Sequence, residues 1–217
     1  IPAFVFAMWA QSRVRSTYGK YAQIHARSGL TGAQTARRLL DQAGLNDIPV
    51  QQSRGELTDH FDPKERVIRL SPGVYRSSSL SALGIAAHET GHALQHSQGY
   101  FPLAFRNNIF PLANIGSRLA FPLFFIGFLF AGPMKNLMSI GILLFAFAVV
   151  FQLVTLPVEF NASNRAIALL GETGYLTKEE VGPAREVLNA AALTYIAAVA
   201  VALSQLLRLL ILRGRRE

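Results

Sequence analysis

The sequence predicts a mainly α-helical membrane protein that carries a smaller α+β block. Three observations predict it. Of 217 residues, 51% are hydrophobic and only 16% charged, and the mean hydropathy is positive, at +0.28. Residues 1–12, 119–134, 136–158 and 187–207 contain no Asp, Glu, Lys or Arg. Between the first two of these runs lies a polar block, residues 13–108, with twelve Lys/Arg and seven Asp/Glu. About 20 apolar residues span a bilayer as a helix, and the runs 136–158 and 187–207 meet that length. Composition also excludes classes. The chain is too apolar for a disordered tail. With no Cys it is not a disulfide scaffold, a zinc ribbon or a thiol enzyme.

In chain order, residues 1–12 (IPAFVFAMWAQS) are expected to form the end of a transmembrane helix whose beginning lies upstream. Arg13, Arg15 and Lys20 follow it, and the positive-inside rule places the polar block in the cytoplasm. Within that block, TGAQTARRLLDQAG reads as a helix. Thr31 is its cap, Gln34 completes a capping box and Gly44 stops it. A short strand is expected near Ile48–Gln51. A second, Arg66–Ser71, follows the turn signal at Asp62–Pro63, because apolar residues there alternate with Arg. Ser77–Ser79 supply N-caps for a helix over 80–97. Residues 109–134 form the next predicted transmembrane helix, with Arg118 inside it, and 136–158 the one after. Residues 159–186 form a helix and polar loop, and 187–212 a last transmembrane or membrane-associated helix. A simple final crossing would put Arg213, Arg215 and Arg216 outside, against the rule.

The helix over 80–97 carries AAHETGHALQH. His88, Glu89 and His92 form His-Glu-x-x-His. Positions i and i+4 share one helix face, so both imidazoles can reach one metal ion. Glu89, about 100° round the helix, is placed to act on water instead. Zinc lowers the pKa of a bound water to about 7, within reach of a carboxylate base. His96 extends the ladder, but its Cα lies about 12 Å along the axis from that of His88, too far to share the ion. It reads as a helix-end residue or a support to the ligands. The metzincin pattern is absent, since Gln stands at 95 and 98.

A catalytic zinc usually has three protein ligands. No His follows His96 and no Asp follows Asp62. Glu172, Glu179 and Glu180 fall in a polar loop. Glu159 follows 23 uncharged residues, where a carboxylate is expensive unless paired. Elimination favours Glu159. The plainer readings are an interfacial Glu159 paired with Arg165 or one snorkelling to water, and His25 and His60 are the alternative ligands.

On these residues the chain resembles the YugP-like neutral zinc metallopeptidases of bacterial membranes. The matching blocks are SGLTGAQTARRLLDQAGL, LTDHFDP, VIRLSPGVY, AAHETGHALQH, PLANIGS, LVTLPVEFNAS and VLNAAALTYIAA, in the expected order. More distantly it resembles the HtpX heat-shock proteases and the membrane CAAX-prenyl endopeptidases. The resemblance implies a gluzincin-like α+β metallopeptidase domain with a small edge-stranded sheet. It implies one Zn2+ per chain held by His88, His92 and Glu159, with Glu89 as the base. Phe160 and Ala162 match the Glu-aromatic-x-Ala-Asp pattern. Ser163 stands where that pattern has Asp, and offers a ligand a hydroxyl instead of a carboxylate. The strand Arg66, Val67, Ile68, Arg69 and Leu70 is expected to bind extended substrate as an exposed edge. His60 is either a surface turn residue, the favoured reading, or an oxyanion stabiliser.

The function expected is a membrane-embedded zinc endopeptidase of the bacterial inner membrane. It is multi-pass, with its site on the cytoplasmic side, acting on peptides or proteins, membrane proteins among them. The alternative is an inactive zinc-binding scaffold. Nucleic acid is not an expected partner, since the basic residues of the polar block are scattered and no recognition motif occurs. Substrate identity and oligomeric state are not legible.

Overall fold

The computed structural model describes residues 2–130, 134 and 136–215. Ile1, residues 131–133 of the predicted helix 109–134, Lys135, Arg216 and Glu217 lie outside the described residues. The elements are α1 (Pro2–Ala22), α2 (Gly32–Gln42), β1 (Val50–Gln52), β2 (His60–Asp62), β3 (Val67–Leu70), α3 (Pro72–Tyr75), α4 (Leu80–Ser97), α5 (Phe101–Leu129), α6 (Asn136–Glu172) and α7 (Lys178–Gly214). They form two compact units. One comprises Ala10–Tyr100 and Val158–Leu193; the other Ile1–Trp9, Phe101–Pro157 and Thr194–Glu217.

In the first unit, local sequence signals fix the elements around α4. Thr31 and Gln34 close the expected capping box on α2. Gly44 stops it at φ +74°, a left-handed conformation that costs glycine little. Ser79 caps α4 by accepting from the Ala82 N–H. One face of α4 meets the sheet and α2 through Ala82, Ala86 and Ala93 against Ile68, Leu70, Leu40 and Val74. Another face meets α6 and α7 through Leu83 and Ala87 against Ala166, Leu170 and Leu188. Small residues bring these partners close. A Cβ on Gly91 would stand 2.7 Å from the Ala162 carbonyl oxygen, inside any real contact distance. α4 and α6 therefore touch backbone to backbone.

The sheet corrects one expectation. Its order is β1-β3-β2, with β1 parallel and β2 antiparallel to β3. Arg66–Leu70 is not an exposed edge. Val67 to Leu70 are the central strand, paired on both sides, with Val67, Ile68 and Leu70 buried. Arg66 precedes it with φ +52° and binds Asp47 at 2.7 Å, while Arg69 binds Asp62 and Glu65. The strand is central because β2 forms where the sequence reads as a turn. His60–Asp62 is three residues long, too short for alternation to announce it.

The second unit contains most of the apolar surface. Three helices, α5, α6 and α7, are long and apolar enough to cross a membrane. At 1.5 Å per residue they measure about 43 to 55 Å, beyond the ~30 Å hydrocarbon core. Their large side chains face outward, Leu143 at 60% exposure and Leu207 at 58%. Water penalises such a surface, and lipid does not. Within the unit, α5 and α6 approach closely at Gly116 and Gly141, where an added Cβ would lie 2.8 Å from the Leu144 oxygen and 2.6 Å from the Ala120 oxygen. Small residues at such crossings are the usual means of helix packing in lipid.

The helices run further than the charge-free stretches that signal them. α1 continues past residue 12 to Ala22, because Thr17 and Tyr21 are buried and keep it helical. α5 begins at Phe101, just after the left-handed Gly99. α6 passes through Pro157 to Glu172 without a break. α7 begins at Lys178, where the Glu180 carboxylate accepts the Thr177 N–H at 2.8 Å. Charge marks which part of a helix meets lipid, not where the helix ends.

Candidate metal centre

His88 and His92 stand one turn apart on α4. Their Nε2 atoms are 3.1 Å apart, with the rings at 87°. Glu159, from α6, brings its Oε2 to 3.3 Å from His88 Nε2 and 3.4 Å from His92 Nε2. Among the described residues this is the one cluster of three His or carboxylate side chains whose donor atoms converge. Glu159 is buried, at 5% exposure, as is Glu89 at 7%.

The geometry fits zinc. Ligands 2.0–2.1 Å from a tetrahedral ion lie about 3.3–3.4 Å from one another. The 3.1, 3.3 and 3.4 Å edges observed here outline one face of such a tetrahedron. Two imidazoles and one carboxylate are also a donor set zinc favours. Burial pulls the His92 pKa down. The Glu159 carboxylate 3.4 Å away and the charge of Glu89 outweigh it, and leave the pKa above its ordinary value.

Behind the donors stand residues that orient them. Ser163 Oγ is 3.1 Å from His88 Nδ1. Gln95 Oε1 is 3.0 Å from His92 Nδ1. Partners of this kind fix the ring and raise its basicity as a ligand. Ser163 was legible as the residue replacing Asp. Gln95 was missed: its signal is a position three after His92, on the same helix face.

The other expected residues lie elsewhere. His60 is exposed, with Nδ1 2.8 Å from the Thr58 carbonyl, and His25 is exposed, with Nδ1 2.9 Å from Ser78 Oγ. Neither joins the converging cluster. Arg165 does not take Glu159 as a hydrogen-bond acceptor; it donates to Asn161 and Gln98. His96 ends α4 as an exposed residue against the Phe61 ring, 5.7 Å between centroids.

Two histidines of the α4 His-Glu-x-x-His and a buried carboxylate from α6 define a zinc peptidase type of site. Comparison gives the family: the chain belongs to the family described as "Putative neutral zinc metallopeptidase", whose profile matches residues 1–214. It is 50% identical over 219 residues to "Putative membrane protease YugP" of Bacillus subtilis (strain 168), covering 100% of this chain and 96% of that relative. No solved structure matches it. Zinc is the cofactor that this family and this donor set define, and with its three apolar helices the chain is a membrane protein.

Proposed function

We propose that the chain is a membrane-embedded zinc endopeptidase of gluzincin type. The observation that carries the reading is the triangle of His88, His92 and Glu159 donor atoms beside the buried Glu89. His88, His92 and Glu159 would hold zinc, which supplies a Lewis acid for the scissile carbonyl and makes water acidic enough to attack. Glu89 takes a proton from that water as its oxygen bonds the carbonyl carbon. It then delivers the proton to the amine nitrogen as the C–N bond breaks. Burial of Glu89 keeps bulk water from competing for the proton.

The likeness to a membrane protease supports substrates that are peptides or proteins at the bacterial inner membrane, with the polar block on the cytoplasmic side. Extended substrate would add to the outer edge of β2. That edge strand packs against α4 through Phe61, whereas β3 has no free edge.

The test is Glu89→Gln in the full chain. It should retain zinc while cleavage of an unfolded protein falls to background. A chelator should silence the parent, and zinc should restore it. Undiminished cleavage by Glu89→Gln would remove Glu89 as the base.

A further inference from the structure

His92 is held from behind by a side chain whose orientation is not free. Gln95 is fully buried, at 0% exposure. Its Nε2 lies 2.8 Å from the Val158 carbonyl oxygen and 3.0 Å from Asn161 Oδ1. A backbone carbonyl only accepts, so the amide end facing Val158 must be the NH2 group. Asn161 agrees. Its Oδ1 also receives Arg165 Nε at 2.7 Å, and a guanidinium only donates. The polarity of the chain is therefore set by two groups with no alternative, Arg165 at one end and the Val158 carbonyl at the other.

The remaining end of the amide, Gln95 Oε1, must accept from His92. We propose that Gln95 is a positioning residue that selects the Nδ1–H tautomer of His92 and so presents its Nε2 lone pair to zinc, with Asn161 and Arg165 holding Gln95 in place. The proposal rests on the zinc reading of the triad. It sets the two histidines apart. Ser163 has a rotatable hydroxyl that donates or accepts, so it orients His88 without dictating its tautomer. Gln95 does dictate that of His92. The same amide grips the backbone at Val158, one residue before Glu159. One side chain thereby ties the second ligand to the third.

The experiment is a zinc competition titration of the full chain in detergent, with parent and Gln95→Met. Met has similar length and no amide. The expected result is zinc affinity weakened about 10- to 100-fold, with the helical circular dichroism of the metal-stripped protein unchanged. Parent affinity in a folded Gln95→Met protein would overturn the proposal, since a merely space-filling Gln95 would leave affinity alone. Should that variant fail to fold, the 15N spectrum of the histidine-labelled, zinc-loaded parent reads which ring nitrogen keeps its proton. The resonances lost in His92→Gln identify the ring. They should show the Nδ1–H form, and the Nε2–H form would overturn the proposal. Neither readout uses peptide hydrolysis. A chain that binds zinc in this way and cleaves nothing would count against the peptidase reading and not against this one.

Discussion

Glu159 illustrates how one residue's cost reveals its role. A buried carboxylate is strongly penalised by desolvation unless charge or hydrogen bonds compensate; Glu159 faces two imidazole nitrogens at 3.3 and 3.4 Å, and a zinc ion held among the three would supply the charge. Glu159→Ala should therefore reduce bound zinc from one per chain to near background, as read by elemental analysis. Equal zinc in variant and parent would remove Glu159 from the site. Ser163→Ala is a milder case. It takes away the partner of His88 Nδ1 and leaves the three donors in place, so zinc affinity should fall by about tenfold without loss of fold. His88 and His92 were legible as converging donors because their spacing puts both rings on one helix face. Glu159 was legible because so few acids follow His92. Gln95 and Asn161 were not. They are neutral amides, and their meaning lies in which atoms face Val158 and Arg165, which no spacing encodes.

Among the elements, α4 and α2 were readable nearly to the residue, because capping is local: Thr31, Gln34, Gly44 and Ser79 act within a turn. The sheet was not readable, because which strand is central depends on β2, a three-residue segment stabilised only by its neighbours. The contact of α4 with α6 gives a prediction. Gly91→Ala places a methyl group 2.7 Å from the Ala162 oxygen, so the helices must move apart. This should cost about 1–3 kcal/mol, seen as a lower melting temperature together with weaker zinc binding. Unchanged melting would show that the contact is not tight. Asp59, just before β2, gives another. Its carboxylate accepts the Ser71 N–H at 2.8 Å and the Ser71 hydroxyl at 2.9 Å. Burial raises its pKa above the ordinary 3.8, against the opposing effect of those hydrogen bonds. A raised folded-state pKa means a stabilising contribution that is complete below 3.8 and fades as pH rises through the folded value. Asp59→Asn does not titrate, so its stability relative to the parent should increase over that rise. A difference in melting temperature that stays constant with pH would contradict this.

For the whole molecule, the net charge of +8 has to be set beside where the charges lie. Bases crowd the polar block and the ends of long helices, while α5, α6 and α7 turn apolar side chains outward. The chain should therefore stay with membranes through high-salt and alkaline washes and require detergent for release. Recovery in the soluble fraction without detergent would contradict it. Three of the four predicted membrane segments, 109–134, 136–158 and 187–212, fall on long apolar helices, whereas the first, 1–12, falls on α1, which is not among them; the full lengths were not legible, since helices extend wherever packing sustains them.

The missing side chain at Gly91 also bears on kinetics. Backbones already in contact cannot approach further. Were zinc lost, α4 and α6 would have no closer arrangement to collapse into. Prising the two helices back apart would then be no part of the barrier to taking up a new ion.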